Sequence, residues 1–267
     1  MGPPSSRLRR CIDESPSLVG PLGQTRGMAL LEVIALHAGD ARGAEQGGAD
    51  RIELVGTMDD DGLSPEPDLV EKARLVTSIQ IRPMLRLRAG FSTDGGEITR
   101  MKGLASAYMD AGADGVVVGF LNGANQIDLS VMAELMGESG VPYTFHRAID
   151  HCLDQRRAWQ AVKELPGEVT NVLTAGSVRG VEHGLNDLVA VARDPQLASL
   201  IMAGGGLRPE HVPWLVRAGV RAFHIGSPAR PGGSWKAYVD AELVASWREL
   251  IDDETARERE RVQRADA

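Results

Sequence analysis

Tyr143-Thr144-Phe145-His146-Arg147-Ala148-Ile149-Asp150 begins as a strand, with Pro142 before it and an amphipathic segment after it. Strand side chains alternate between two faces, so Thr144, His146 and Ala148 share one and Phe145, Arg147 and Ile149 the other. A histidine, an arginine and an aspartate closing one strand make a poor core segment and a good edge for a reactive site. A helical pattern over residues 153–165 completes a strand–helix unit, and the same unit recurs on both sides.

Toward the N-terminus, strands are predicted over residues 29–36, 51–55, 81–87 and 115–121, and toward the C-terminus over 171–175, 199–203 and 222–226. Helices are predicted over 41–48, 65–76, 97–111, 129–136, 184–192, 209–216 and 241–251, on apolar residues three and four apart. Pro65 suits a first helical turn and Asp128 an N-cap. Strands alternating with helices imply parallel pairing through right-handed crossovers. Eight such units predict an α/β fold, a (β/α)8 TIM barrel, whose usual length is roughly 250 residues. The rival, a doubly wound open sheet, often carries a glycine-rich phosphate loop after its first strand; Ala35-Leu36-His37-Ala38-Gly39 is not one. Gly-Ala-Asp at 48–50 and again at 112–114 reads as a helix stop placed just before a strand.

The chain of 267 residues divides unevenly. Residues 1–27 are rich in Pro, Ser and Gly, carry Arg7, Arg9 and Arg10, and lack the apolar core of a secretory signal; a disordered extension is predicted. The barrel is assigned to 28–251 and a charged, frayed tail to 252–267. A formal net charge of −8 argues against a nucleic-acid groove, and no apolar run reaches the roughly 18 residues that span a bilayer. Two cysteines, Cys11 and Cys152, make no disulfide framework, which points to a reducing cytoplasm.

Reactive groups of such barrels sit at the C-terminal ends of the strands. Inward positions read by alternation are Glu32, Glu53, Arg86 or Arg88, His146, Thr174 and His224. A barrel interior is normally aliphatic, and buried charges are costly unless paired. The ensemble therefore reads either as an ion-pair network or as a site. As a site, Glu32, Glu53, His146 and His224 are the catalytic candidates, with His146 or His224 shuttling a proton near neutral pH. Arg86, Arg88, Arg147 and Asp150 are the substrate-binding candidates, the arginines gripping a carboxylate or phosphate. Gly204, Gly205 and Gly206 after the seventh strand and Ser227 after the eighth fit a phosphate cradle, although a tight turn needs glycines too. His37, His151, His183 and His211 show no metal-ligand spacing. Cys152, beside His151, is placed at a helix start that would lower its thiol pKa. Asp59-Asp60-Asp61 reads as a solvated loop. No metal site is assigned.

The chain also resembles the CutC copper homeostasis family. The resemblance runs through 28–33, through Gly47-Gly48-Ala49-Asp50-Arg51-Ile52-Glu53-Leu54, and through Gly62-Leu63-Ser64-Pro65. It continues in Thr144-Phe145-His146-Arg147-Ala148 with Asp150, in 172–176 and in 202–206, and covers about 28–251. It implies a cytoplasmic TIM barrel named for copper handling, with copper as the ion bound. Copper-binding members carry cysteines on the first two strands; here those positions are Ile34 and Val55, neither a Cu(I) ligand. The stretch 85–91 is one residue shorter than the family's, and 228–238 is short as well. Two readings follow: copper handling, and an enzyme acting on a small anionic or phosphorylated substrate. The expected partner is a small anionic ligand, with no nucleic acid and no membrane; a homo-oligomer is left open.

Overall fold

A computed structural model describes residues 29–265. Eight parallel strands are ordered β3-β2-β1-β8-β7-β6-β5-β4. They are β1 Leu30–Ala35, β2 Arg51–Leu54, β3 Gln80–Pro83, β4 Val116–Val118, β5 Tyr143–Phe145, β6 Val169–Thr174, β7 Ile201–Ala203 and β8 Ala222–Ile225. A parallel bridge between Met84 and Val117 joins the two outer strands. Leu85 N donates to Val117 O and Asp114 N to Ile81 O across the same seam, which closes the (β/α)8 barrel. The predicted fold class is the one observed.

The helices wrap the barrel as α1 Ala38–Gln46, α2 Pro67–Arg74, α3 Gly95–Asp110, α4 Leu129–Met136, α5 Gln155–Val162, α6 Val181–Val191, α7 Pro195–Leu200, α8 Val212–Arg217 and α9 Ala241–Ala265. Asp128 caps α4 as predicted, accepting from Val131 N at 3.1 Å. The proline at the start of α2 is Pro67 rather than Pro65. Sequence reading missed α7, whose N-cap Asp194 accepts from Gln196 N. The repeated Gly-Ala-Asp has a structural meaning. Gly48 and Gly112 stop helices at φ of 85° and 95°. Asp50 and Asp114 then each accept the first free amide of a neighbouring strand, Leu31 N at 2.8 Å and Ile81 N at 2.9 Å.

One apolar layer lies between barrel and helices, and two smaller clusters fill the barrel itself: Leu30, Leu173, Met202 and Ala222, and Ile34, Val55, Met84 and Val117. Ile34 and Val55 are thus packed barrel-core residues. The expected tail is corrected. From 252 the chain continues α9 as far as Ala265, because alternating charges pair along the helix. Arg261 bonds Glu258 at 2.7 Å and Arg264 meets Glu260 at 3.2 Å, while Thr255 and Glu258 are buried. The 1–27 extension lies outside the described residues. Among the described residues no helix is long and apolar enough to cross a membrane.

A buried strut shapes the rim. Arg230, after β8, reaches Asp40 on α1 at 2.9 Å, with both side chains fully buried. Arg230 also donates to Ile34 O and Ala237 O, and Asp40 accepts from the Val239 and Leu36 amides. Trp235 lies over the guanidinium, 5.1 Å from it. This pins 226–240 across the end of β1. Arg230→Met should leave Asp40 charged and unpaired, at a cost of roughly 3–5 kcal/mol in urea unfolding. A loss below about 1 kcal/mol would show that the backbone amides alone hold Asp40.

Candidate functional site

The polar interior begins at Glu32, which is wholly buried on β1. Strand register sets it beside Arg51 of β2 and His224 of β8. Arg51 Nε contacts one carboxylate oxygen, and His224 Nδ1 meets the other at 2.8 Å. The far end of Arg51 donates to Asn171 Oδ1 at 3.0 Å and reaches Met202 Sδ at 3.3 Å. Burial alone would raise the Glu32 pKa, but the Arg51 charge and the His224 hydrogen bond outweigh it and hold the group at about 2. Since an ionised carboxylate only accepts, Nδ1 of His224 carries a proton.

The other nitrogen of His224 faces Glu53, with Nε2 and Oε2 3.7 Å apart. Glu53 Oε1 is buried and has no hydrogen-bond partner. Burial pushes Glu53 up to about 7, against the pull of His224 and with the added push of Glu32. His224 is raised as well: burial works against its charge, and the Glu32 hydrogen bond and the two carboxylates overcome it. Glu53 and His224 are therefore both held toward their protonated forms, facing each other over a Glu32 kept ionised.

His146 behaves differently. The predicted strand 143–149 ends at Phe145, and Arg147–His151 turns into a 3-10 helix. His146 caps that turn: its Nδ1 accepts from Ala148 N at 3.1 Å. The ring proton must then sit on Nε2, which is buried and unpartnered. Burial, with help from Arg86, pushes its pKa down to about 3. The expectation that His146 shuttles protons near neutral pH is thereby corrected, because it is a fixed, neutral N–H donor.

These groups line one cavity of about 300 Å³ at the C-terminal ends of the strands. Glu53, His146, His224, Arg86, Arg147, Gly205, Gly206 and Ser227 are all in its wall, with Ile34, Met58, Met84, Leu173 and Trp235 as its apolar part. Arg86 donates to the carbonyls of Gly90, Asp60 and Gly62 and lies 5.0 Å over Phe91. It makes no direct ion pair among the described residues, while Asp61, in the same wall, and Asp60 lie near enough to act on its charge.

Other predicted residues stand elsewhere. Glu32 lies beneath the wall, bonded to His224. Asp150 is buried behind it, accepting from Thr174 Oγ1 at 2.6 Å, Ala175 N at 3.0 Å and Arg147 Nε at 2.8 Å. Thr174 thus turns away from the interior, and Leu173 takes the inward position. Arg88 leaves the site: nearly half exposed, it pairs with Glu97 at 3.1 Å. Gly204 is not in the wall. A side chain there would strike Leu173 and His224, and one at Gly205 would strike the Arg147 guanidinium within 2.8 Å. Part of the glycine run therefore serves close packing against Leu173, His224 and Arg147. Cys152 ends the 3-10 turn rather than starting a helix, and burial pushes its thiol up to about 11. It faces a second cavity between α4 and α5. Among the described residues, the one His/Cys/Asp/Glu trio within reach of a single ion is Glu182, Glu210 and His211, outside the barrel mouth. There His211 accepts from Arg208 N and meets Glu182 at 3.0 Å, so both ring nitrogens are engaged.

Arg51 and Arg82 were missed by sequence reading. Arg82 spans the interior to Thr144 Oγ1 at 2.9 Å. Each shares a strand face with a residue that was chosen or lines the mouth, Glu53 and Met84, and that parity was the available signal.

The CutC family model matches residues 29–228. A family protein CutC of Klebsiella pneumoniae (strain 342) is 36% identical over 229 residues, 80% of this chain and 90% of that one. A family protein CutC of Yersinia pseudotuberculosis serotype I (strain IP32953) is 37% identical over 202 residues, covering 74% and 78%. Among solved structures, CutC from Streptococcus agalactiae, named for copper homeostasis, aligns with a TM-score of 0.67 at 24% identity, over 74% of this chain and 98% of that one. Phosphoribosylanthranilate isomerase from Thermotoga maritima aligns with a TM-score of 0.57 at 12% identity, over 85% of this chain and 100% of that one, a likeness of fold alone.

The Glu53 geometry sets a pH dependence. Its folded pKa lies above its ordinary value of 4.5, so the folded state binds more protons and loses stability as pH rises from there through about 7. His224, also raised, acts in the same direction. Glu53→Gln should therefore gain on the wild type with rising pH, by roughly 2–3 kcal/mol between about pH 5 and about pH 8. Thermal unfolding across that range is the check, and parallel curves for the two proteins would refute the assignment.

Proposed function

This chain belongs to the CutC family, and from that footing we propose that its barrel mouth binds a small organic anion and performs proton transfer on it. One observation carries this reading: His146 Nε2 and Glu53 Oε1 are buried in the wall of one cavity with no partner. An unsatisfied buried polar group costs about 1–3 kcal/mol, a standing cost that a ligand oxygen or proton would remove. Arg86 and Arg147 attract the anion, and Gly205, Gly206 and Ser227 close the wall at the ends of β7 and β8, where this architecture commonly holds phosphate. Glu53 takes and returns the proton, His224 shares it, and Glu32 with Arg51 fixes the His224 tautomer. Cytoplasmic placement belongs to the same proposal; the unpaired Cys152 thiol suits a reducing compartment.

Copper handling, with copper as cargo, is the second reading. The family resemblance implies it, and the thioethers of Met58 and Met84 share the cavity with His146, His151 and His224. Thioether and imidazole are acceptable Cu(I) donors. The fit is poor in one respect: no thiolate reaches the cavity among the described residues, and Met84 is packed with Ile34, Val55 and Val117.

Two measurements separate the readings. Inorganic phosphate or oxalate should raise the melting temperature, and Arg86→Met should weaken that binding roughly ten-fold, the loss of one charge-assisted contact. No shift with either anion would remove the first reading. Competition against a Cu(I) chelator should show no tight site; a tight site lost in Met58→Leu/Met84→Leu would establish the second.

A further inference from the structure

The proposed anion site leaves the reaction unnamed, and the chemistry of its polar atoms narrows it. Two-carboxylate hydrolysis needs a free second carboxylate. Glu32 is unavailable for that role, since Arg51 and His224 occupy its two oxygens. Nucleophilic catalysis by cysteine has no thiol in the wall. Asp61 is a further carboxylate in the wall, but it is exposed and acts on the Arg86 charge, so the buried polar atoms that remain are a base and a neutral donor. Glu53 is the base, and His146 is the donor, with Nδ1 locked by the Ala148 amide and its one proton on Nε2. A cationic imidazolium would suit an oxygen that is already charged. A neutral N–H suits a carbonyl oxygen that gains charge during reaction, without trapping it as a stable ion pair.

We infer that Glu53 and His146 act as base and electrophile in enolisation, so that the ligand is a small anionic α-hydroxy aldehyde or ketone and the reaction moves hydrogen between its two adjacent carbons. This rests on the anion-binding reading of the mouth. Glu53 removes the proton from the hydroxyl-bearing carbon. The electron pair of that C–H bond forms the carbon–carbon double bond, and the carbonyl π pair moves onto oxygen, where the His146 N–H receives it. The neighbouring hydroxyl passes its own proton to that oxygen, which the His146 N–H holds throughout as a fixed donor. Glu53 then returns its proton to the former carbonyl carbon. One carbon is oxidised and its neighbour reduced within one molecule, so no external oxidant, reductant or metal is required. Arg86 and Arg147 hold the carboxylate or phosphate, and His224 supplies the route by which the Glu53 proton exchanges with solvent.

Exchange into D2O tests this directly. Dihydroxyacetone phosphate, hydroxypyruvate and D-ribulose 5-phosphate are incubated with the full chain, and the C–H signals beside the carbonyl are followed by proton NMR. Protein-dependent loss of signal is expected for at least one of the three, rising with pH as Glu53 ionises. Glu53→Gln, purified identically, should lower the rate at least ~100-fold while still binding phosphate. His146→Ala should lower kcat with little change in KM, and His146→Gln, which keeps an N–H donor, should recover part of the loss; it also serves if the alanine variant fails to fold. Phosphate binding without exchange in any of the three compounds overturns the enolisation and leaves the anion site standing. Exchange at equal rate in Glu53→Gln overturns it as a trace contaminant's activity. Absence of both phosphate binding and exchange removes both proposals.

Discussion

Glu32 is a full negative charge placed where no water reaches it, and the interior of the barrel is built to make that tolerable. Arg51 and His224 take its two oxygens. Each partner then imposes its own requirement: Arg51 needs Asn171 at its far end, and His224 needs the space left by Gly204. Isolated, such a charge would neutralise or unfold its surroundings. Paired in this way, it becomes a fixed reference that decides which nitrogen of His224 is protonated and which faces Glu53. Burial is the main reason that Glu53 holds its proton, and the charged Glu32 beside it adds to that.

Support and reactivity are divided between residues that look alike in the sequence. Asp40, Asp50, Asp114 and Asp150 each accept backbone amides and hold elements in place, Asp40 through the Arg230 strut and Asp150 behind Arg147. Glu32 and Glu53 carry the electrostatics. Arg147 and Arg86 stand between these classes, anchored on one side and facing the cavity on the other. Local rigidity of this kind lets a site keep unsatisfied polar atoms, whose cost is met by the packing around them.

Much of this was legible in one sequence, for physical reasons that also mark where legibility stopped. Period-two alternation held for Glu32, Glu53 and His224 because their strands are regular. It failed at Arg88 because β3 ends at Pro83 and the chain past Arg86 turns outward, where Arg88 pairs with Glu97. It failed at Thr174 because the inward residues of β6 are Asn171 and Leu173. Arg51 and Arg82 lie lower on their strands than the ends where reactive groups are expected, and only their long side chains reach the interior. The Arg230–Asp40 strut joins residues 190 positions apart, and no local pattern announces such a pairing. The helical continuation of α9 is carried by the spacing of its charge signs, which charge density alone does not convey.

The closure of the barrel is uneven. Other neighbouring strands share ladders of two to four residue pairs, whereas β3 and β4 meet through one bridge and the Asp114 N–Ile81 O hydrogen bond. Closure on that side therefore rests on a few backbone hydrogen bonds beneath Met84, Arg86 and Phe91, while the rim carrying Gly205, Gly206 and Trp235 is held by the Arg230–Asp40 strut and by tight glycine contacts. The two flanks of the mouth are thus secured by different means, main-chain pairing on one and side-chain packing over a buried ion pair on the other.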